Sequence, residues 1–73
     1  MYVTFQIKPC EFARLNGYET KRYAVKCENL DQLGEVLSDA NSIDGVTYLR
    51  VNKSKRKLKD RINLSYEEYH KAF

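Results

Sequence analysis

His70, Cys10 and Cys27 are the side chains of this 73-residue chain best suited to proton or nucleophile chemistry near neutral pH, and each stands alone in the sequence. A general base needs a partner group and a pocket that positions its substrate. His70 falls instead in the last turn of an expected C-terminal helix, beside Glu67 and Lys71, where favourable interaction with the negative helix end accounts for it. Neither cysteine has a histidine near it, and sixteen residues between the two match no zinc-ligand spacing. Free thiols are expected, with Cys27 as a small core hydrophobe on the buried phase of a strand. The three glycines are isolated, so the chain has neither a phosphate-binding loop nor a dinucleotide turn. The reading is a non-enzymatic protein with no catalytic residue, no cofactor and no metal-ligand set.

Charge carries more information than catalytic residues do. Lys and Arg number 13 and Asp and Glu 10, a formal charge of only +3, but the two signs are unevenly placed. Residues 1–52 carry six basic and seven acidic side chains, whereas residues 53–73 carry seven and three. Lys53, Lys55, Arg56, Lys57, Lys59 and Arg61 make up most of that excess, and Glu28, Asp31, Glu35, Asp39 and Asp44 form an acidic middle. Clustered cations near aromatic residues are the electrostatic footprint of nucleic-acid binders. The same cluster equally suits an acidic protein surface, or a solvated basic hairpin with no partner. No RNP-like aromatic motif, GXXG clamp or zinc knuckle accompanies it.

The elements that would present these residues follow from periodicity. Seventy-three residues supply one modest core, and 42% hydrophobic with 32% charged residues is the balance of a folded domain. Met1, Val3, Phe5 and Ile7 alternate with polar neighbours up to Pro9, which is a strand with one buried face. Residues 9–17 are irregular but carry Phe12 and Leu15, so a loop or helical turn folding back onto the body is expected. Asn16-Gly17 then signals a turn into a second strand over residues 18–27, antiparallel to the first.

Asn29 caps a helix in which Leu30, Leu33, Val36, Leu37 and Ala40 recur at helical spacing, with Gln32 placed to reach back to the cap. Gly34 in its middle suggests close packing. Asp44-Gly45 turns the chain into a third strand, residues 46–51. Residues 53–57 read as an exposed turn into a fourth, edge strand at 58–64, or else 56–63 extend the last helix upstream. Ser65 to Glu68 form a capping box that starts a short helix with Tyr66, Tyr69 and Phe73 on its apolar stripe. The expected fold is α+β: a small two-layer sandwich of three or four mostly antiparallel strands in the order ββαβ(β)α, with one main helix on one face. The opposite face, with Tyr2, Thr4, Gln6, Arg22, Ala24 and Lys26, is expected to be wet or partly covered by the final helix.

Function follows as an expectation of class. Six tyrosines, no tryptophan and no catalytic set suit a binding module, because tyrosine and arginine often anchor protein interfaces. The leading reading is an inhibitor or adaptor that occludes a larger protein or protein–nucleic-acid complex. Lys53, Lys55, Arg56, Lys57, Lys59 and Arg61 would then be its electrostatic contacts, and Tyr23 and Tyr48 its aromatic anchors. In size and lack of chemistry it resembles small accessory or inhibitor proteins encoded by phages and mobile elements, a resemblance of type that transfers no residue. The alternative is a small regulator that binds RNA or DNA directly through residues 53–61. A monomer or small homodimer in the cytoplasm, or a host's cytoplasm, is expected, since no apolar run reaches the length of a membrane span or a secretory leader.

Overall fold

A computed structural model describes all 73 residues as one four-stranded sheet with two helices packed on one face and a third, exposed helix. The elements run β1 (Tyr2–Ile7), α1 (Glu11–Leu15), β2 (Lys21–Lys26), α2 (Leu30–Asn41), β3 (Val46–Asn52), β4 (Ile62–Ser65) and α3 (Tyr66–Ala72). The sheet order is β3-β1-β2-β4, with β1 antiparallel to both β2 and β3, and β4 parallel to β2. The expected α+β architecture is therefore the observed one. None of its helices is long and apolar enough to cross a membrane.

β1 lies inside the sheet because its alternation supplies two fully buried side chains, Val3 and Phe5. They join Val25 and Cys27 from the second strand region, Val36 and Ala40 from α2, and Tyr69 from α3 in a single core. Both α2 and α3 thus cover the same face. α2 starts where its cap predicts, the Asn29 side chain accepting from the Gln32 N–H at 2.9 Å, but Gln32 Oε1 accepts from the Glu28 N–H at 2.8 Å and not from that of the cap residue, so the reciprocal capping-box bond does not form. Leu30 is 73% exposed and stays out of the core. Nothing lies within 4 Å of a Cβ built on Gly34, so close packing does not explain that glycine.

Two local readings change. Asn16-Gly17 closes α1 in a Schellman motif and makes no hairpin: the Tyr18 N–H donates to the Ala13 carbonyl and the Gly17 N–H to that of Arg14, both at 3.1 Å, with Gly17 at φ +89°. β2 therefore begins only at Lys21. Phe12 and Leu15 do not fold back onto the body either, because α1 contains no buried residue and these two side chains are 76% and 81% exposed.

β3 holds a β-bulge. Thr4 pairs with Arg50 and Gln6 with Thr47, so Tyr48 and Leu49 together face the single residue Phe5. Tyr48 takes up the extra residue at φ 55°, uncommon for a bulky side chain. The slip lets Val46 and Leu49 both pack against the core, which strict alternation would forbid.

The fourth strand and the segment before it depart furthest from expectation. β4 is an edge strand as expected but spans only Ile62–Ser65, and it lies at the opposite edge of the sheet from β3. Residues 53–61 are therefore no hairpin. They must cross three inter-strand gaps, roughly 14 Å at ordinary strand spacing. They cross on the face away from the helices: Asn63 shares a face with its partner Ala24, and its side chain holds the backbone of Leu58. Beneath this strap Tyr2, Thr4 and Ala24 are 4%, 4% and 0% exposed. That face is covered by the strap, and the final helix takes no part because Tyr69 anchors it on the other side.

Candidate binding surface

Polar side chains hold the strap. At its start the Asn52 side chain accepts from the Ser54 N–H at 2.8 Å, and Ser54 Oγ donates to the Arg56 carbonyl at 2.9 Å. At its end Asn63 Nδ2 donates to the carbonyls of Leu58 and Arg61 at 2.8 and 3.0 Å, while its Oδ1 accepts from the Leu58 N–H at 3.1 Å. Asp60 takes a left-handed backbone, φ 61°, as short polar residues tolerate. Leu58 is half-buried.

These anchors decide what each basic residue does. Lys53, Lys55, Arg56, Lys57 and Lys59 are exposed and form no ion pair. Arg61 is half-buried, and its Nη1 donates to the Tyr23 carbonyl at 3.2 Å, which fixes the strap to β2. Arg61 therefore has a structural bond to keep. Three further cations share this face through strand pairing: Arg22 opposite Gln6, Lys26 opposite Tyr2, and Arg50 opposite Thr4. Strand phase already placed Arg22 and Lys26 here, but the bulge decides the side of Arg50. Lys26 alone among them has an acidic partner, Glu28 at 3.9 Å with both side chains mostly in water.

The aromatic candidates separate. Tyr23 lies on the helix side, its ring stacked on Phe5 at 5.5 Å and edge-on to Phe73 at 5.3 Å, so it belongs to the rim of the core and is no surface anchor. Tyr48 is 65% exposed on edge strand β3. Tyr2 lies under the strap. Of the three rings only that of Tyr48, at the β3 edge, is exposed. The two most exposed apolar side chains, Leu15 and Phe12, belong to α1, and Leu30 at the start of α2 and Tyr18 after α1 follow them.

The helix layer has the opposite character. α2 contributes Asp31, Glu35 and Asp39 and no basic residue, and α3 opens with Glu67 and Glu68. Ser65 and Glu68 complete the reciprocal capping box, both bonds at 3.1 Å, and the Ser65 backbone N–H holds the Glu68 carboxyl below its ordinary range. Tyr66 donates its hydroxyl to Glu35 Oε2, which pushes the phenol up to about 12. His70 Nε2 lies 3.4 Å from Glu35 Oε1. The sequence associated His70 with its own helix end, whereas the fold delivers it to α2. Both thiols are free, Cys10 exposed and Cys27 buried, and burial pushes the Cys27 thiol up from its usual value.

No protein-family model, curated protein or solved structure matches this chain.

Proposed function

We propose that this protein is a non-catalytic binding module that docks its strap face onto an acidic surface of a larger protein, or of a protein–nucleic-acid complex, and blocks access to it. The observation that carries the reading is the segregation of charge. Five exposed Lys and Arg side chains without an ion pair lie on the strap with a single acid, Asp60, and Arg22, Lys26 and Arg50 lie on the sheet face it crosses, whereas α2 on the other face carries only acids; Glu68 of α3 shares a groove with Lys57 at the boundary. Such a field steers encounter with an acidic partner and disfavours approach by the helix side, so charge fixes orientation before contact. The strap is also pinned at both ends to the sheet, which lowers the ordering cost of binding.

Protein is favoured over nucleic acid by what the face lacks. Single-strand binders pair a cationic groove with exposed aromatic platforms. Here Tyr2 is buried under the strap and Tyr23 lies in the core rim, which leaves Tyr48 at the β3 edge as a single exposed ring and not a row of platforms. The charge separation does remove one obstacle to nucleic acid, because the acidic helix faces away from the cations. Direct binding of RNA or DNA is accordingly the rival outcome. The cytoplasm, or a host's cytoplasm, is the compartment this reading assumes.

The test is a tagged pull-down from lysate of the cells that express the protein, with and without nuclease, followed by kinetics on the purified partner. A protein retained after nuclease, whose association slows with salt and with Lys55→Glu, Arg56→Glu, Lys57→Glu, supports occlusion. Recovery of nucleic acid, with every protein lost after nuclease, overturns it. Replacing Tyr48 with Ser then asks whether that exposed ring slows dissociation, as an anchor should.

A further inference from the structure

We propose that Glu35, Asp39 and His70 form a binding site for a divalent transition-metal ion of the zinc type, built across the contact between α2 and α3. Glu35 and Asp39 are one turn apart on α2 and therefore share a face. His70 reaches them from α3, and one donor atom from each of the three lies within 4.8 Å of the others. A tetrahedral zinc ion, with bonds of about 2.0–2.2 Å, requires donors roughly 3.3–3.6 Å apart. The His70 Nε2 to Glu35 Oε1 separation, 3.4 Å, already meets this. Asp39 needs only a side-chain rotation, and all three residues are exposed enough to permit it.

The donor types choose the metal. One imidazole with two carboxylates suits zinc and its neighbours, whereas magnesium and calcium call for an all-oxygen shell. Glu35 is already oriented for such an ion, because Tyr66 engages Oε2 and leaves Oε1 toward His70, the kind of outer bond that fixes a metal-binding carboxylate. Three protein donors leave a fourth position for water or a ligand atom. The ion would join α3 to α2, a contact that otherwise depends on Tyr69 and its neighbours, and so would stabilise a chain with a small core. Neither the strap nor a partner takes part in this site.

Zinc chloride titrated into the intact protein, followed by NMR of the His70 imidazole and by calorimetry, tests it. A Cys10→Ser variant run in parallel removes the exposed thiol as a competing ligand. The expected result is one saturable site that shifts the His70 ring, survives Cys10→Ser, and weakens by more than about 10-fold in both His70→Ala and Asp39→Asn, because losing a ligand costs at least as much as losing an outer partner of one. Glu67→Gln, an acid outside the triad, should bind as the parent does. At free zinc near 100 times Kd, the unfolding equilibrium constant should fall about 100-fold in the parent and not in His70→Ala. Undiminished binding in a folded His70→Ala variant would overturn the proposal, as would magnesium competing at equal concentration. So would an unmoved His70 ring, which leaves His70 and Glu35 as a plain polar contact.

Discussion

The two faces of the sheet are covered by different physical means. On one, α2 and α3 bury Val36, Ala40 and Tyr69 against Val3, Phe5 and Val25, so adhesion comes from apolar area removed from water. On the other, nine residues cross Tyr2, Thr4 and Ala24, fastened by the side chains of Asn52, Ser54, Arg61 and Asn63. The helix layer tolerates acids on its outer surface because its inner face does the stabilising. The strap has its backbone tied down and its lysines free. A segment can thus be strongly charged and still ordered when hydrogen bonds replace a hydrophobic face, and this makes the strap the better candidate for recognition.

The contrast can be broken from either side. Phe5→Ala removes a fully buried ring that touches Tyr23, Tyr69 and Phe73, and should cost about 3–5 kcal/mol in urea unfolding, enough to unfold much of a domain this small. Asn63→Ala takes away both ties to Leu58 and should cost about 1–3 kcal/mol. Its signature is local: amides of residues 53–61 should lose hydrogen-exchange protection while those of α2 keep theirs. Equal loss in both would mean that strap and helix layer form one cooperative unit.

Gly34→Ala should go the other way. The position is helical, exposed and open around the added methyl, so a gain of roughly 0.5–1 kcal/mol is expected, and a loss would reveal a contact on α2 not visible in the fold. Acid should loosen α3 before it loosens the strap. The folded-state Glu68 carboxyl sits below its unfolded value, so its contribution is present above the unfolded pKa and is lost as pH falls through the folded one. Fraying of α3 with the strap still protected, followed amide by amide, is the outcome to look for. Least affected of all should be the triple change Lys55→Gln, Arg56→Gln, Lys57→Gln, within about 0.5 kcal/mol of the parent, because none of the three side chains pairs with an acid. A larger effect would give those cations a structural role and weaken the case for a binding face.

What the sequence determined was local. The Asn29 cap, the Ser65–Glu68 capping box, the strand alternation of Val3, Phe5 and Ile7 and the burial of Cys27 depend on residues within four positions of one another or on simple periodicity. Such signals survive without knowledge of the fold. The Asn16-Gly17 pair was legible only as a turn, since the same left-handed glycine serves a hairpin or a helix end and the preceding α1 decides which.

Tertiary structure alone decided the rest. Placing β4 beside β2 at the far edge turned a supposed hairpin into a strap, covered Tyr2 and Thr4, and gave Arg61 a bond to Tyr23, 38 residues away in sequence. Packing α3 on α2 brought His70 to Glu35 and closed Tyr66 on the same carboxylate from 31 positions away. The ring of Tyr23 joined the rim of the core because Phe5 and Phe73 converge on it. Each of these contacts depends on which strand edges meet and on which face a crossover takes. Composition and short-range periodicity carry no information about either, because many chain paths satisfy the same local pattern and only the packing of the whole core selects one.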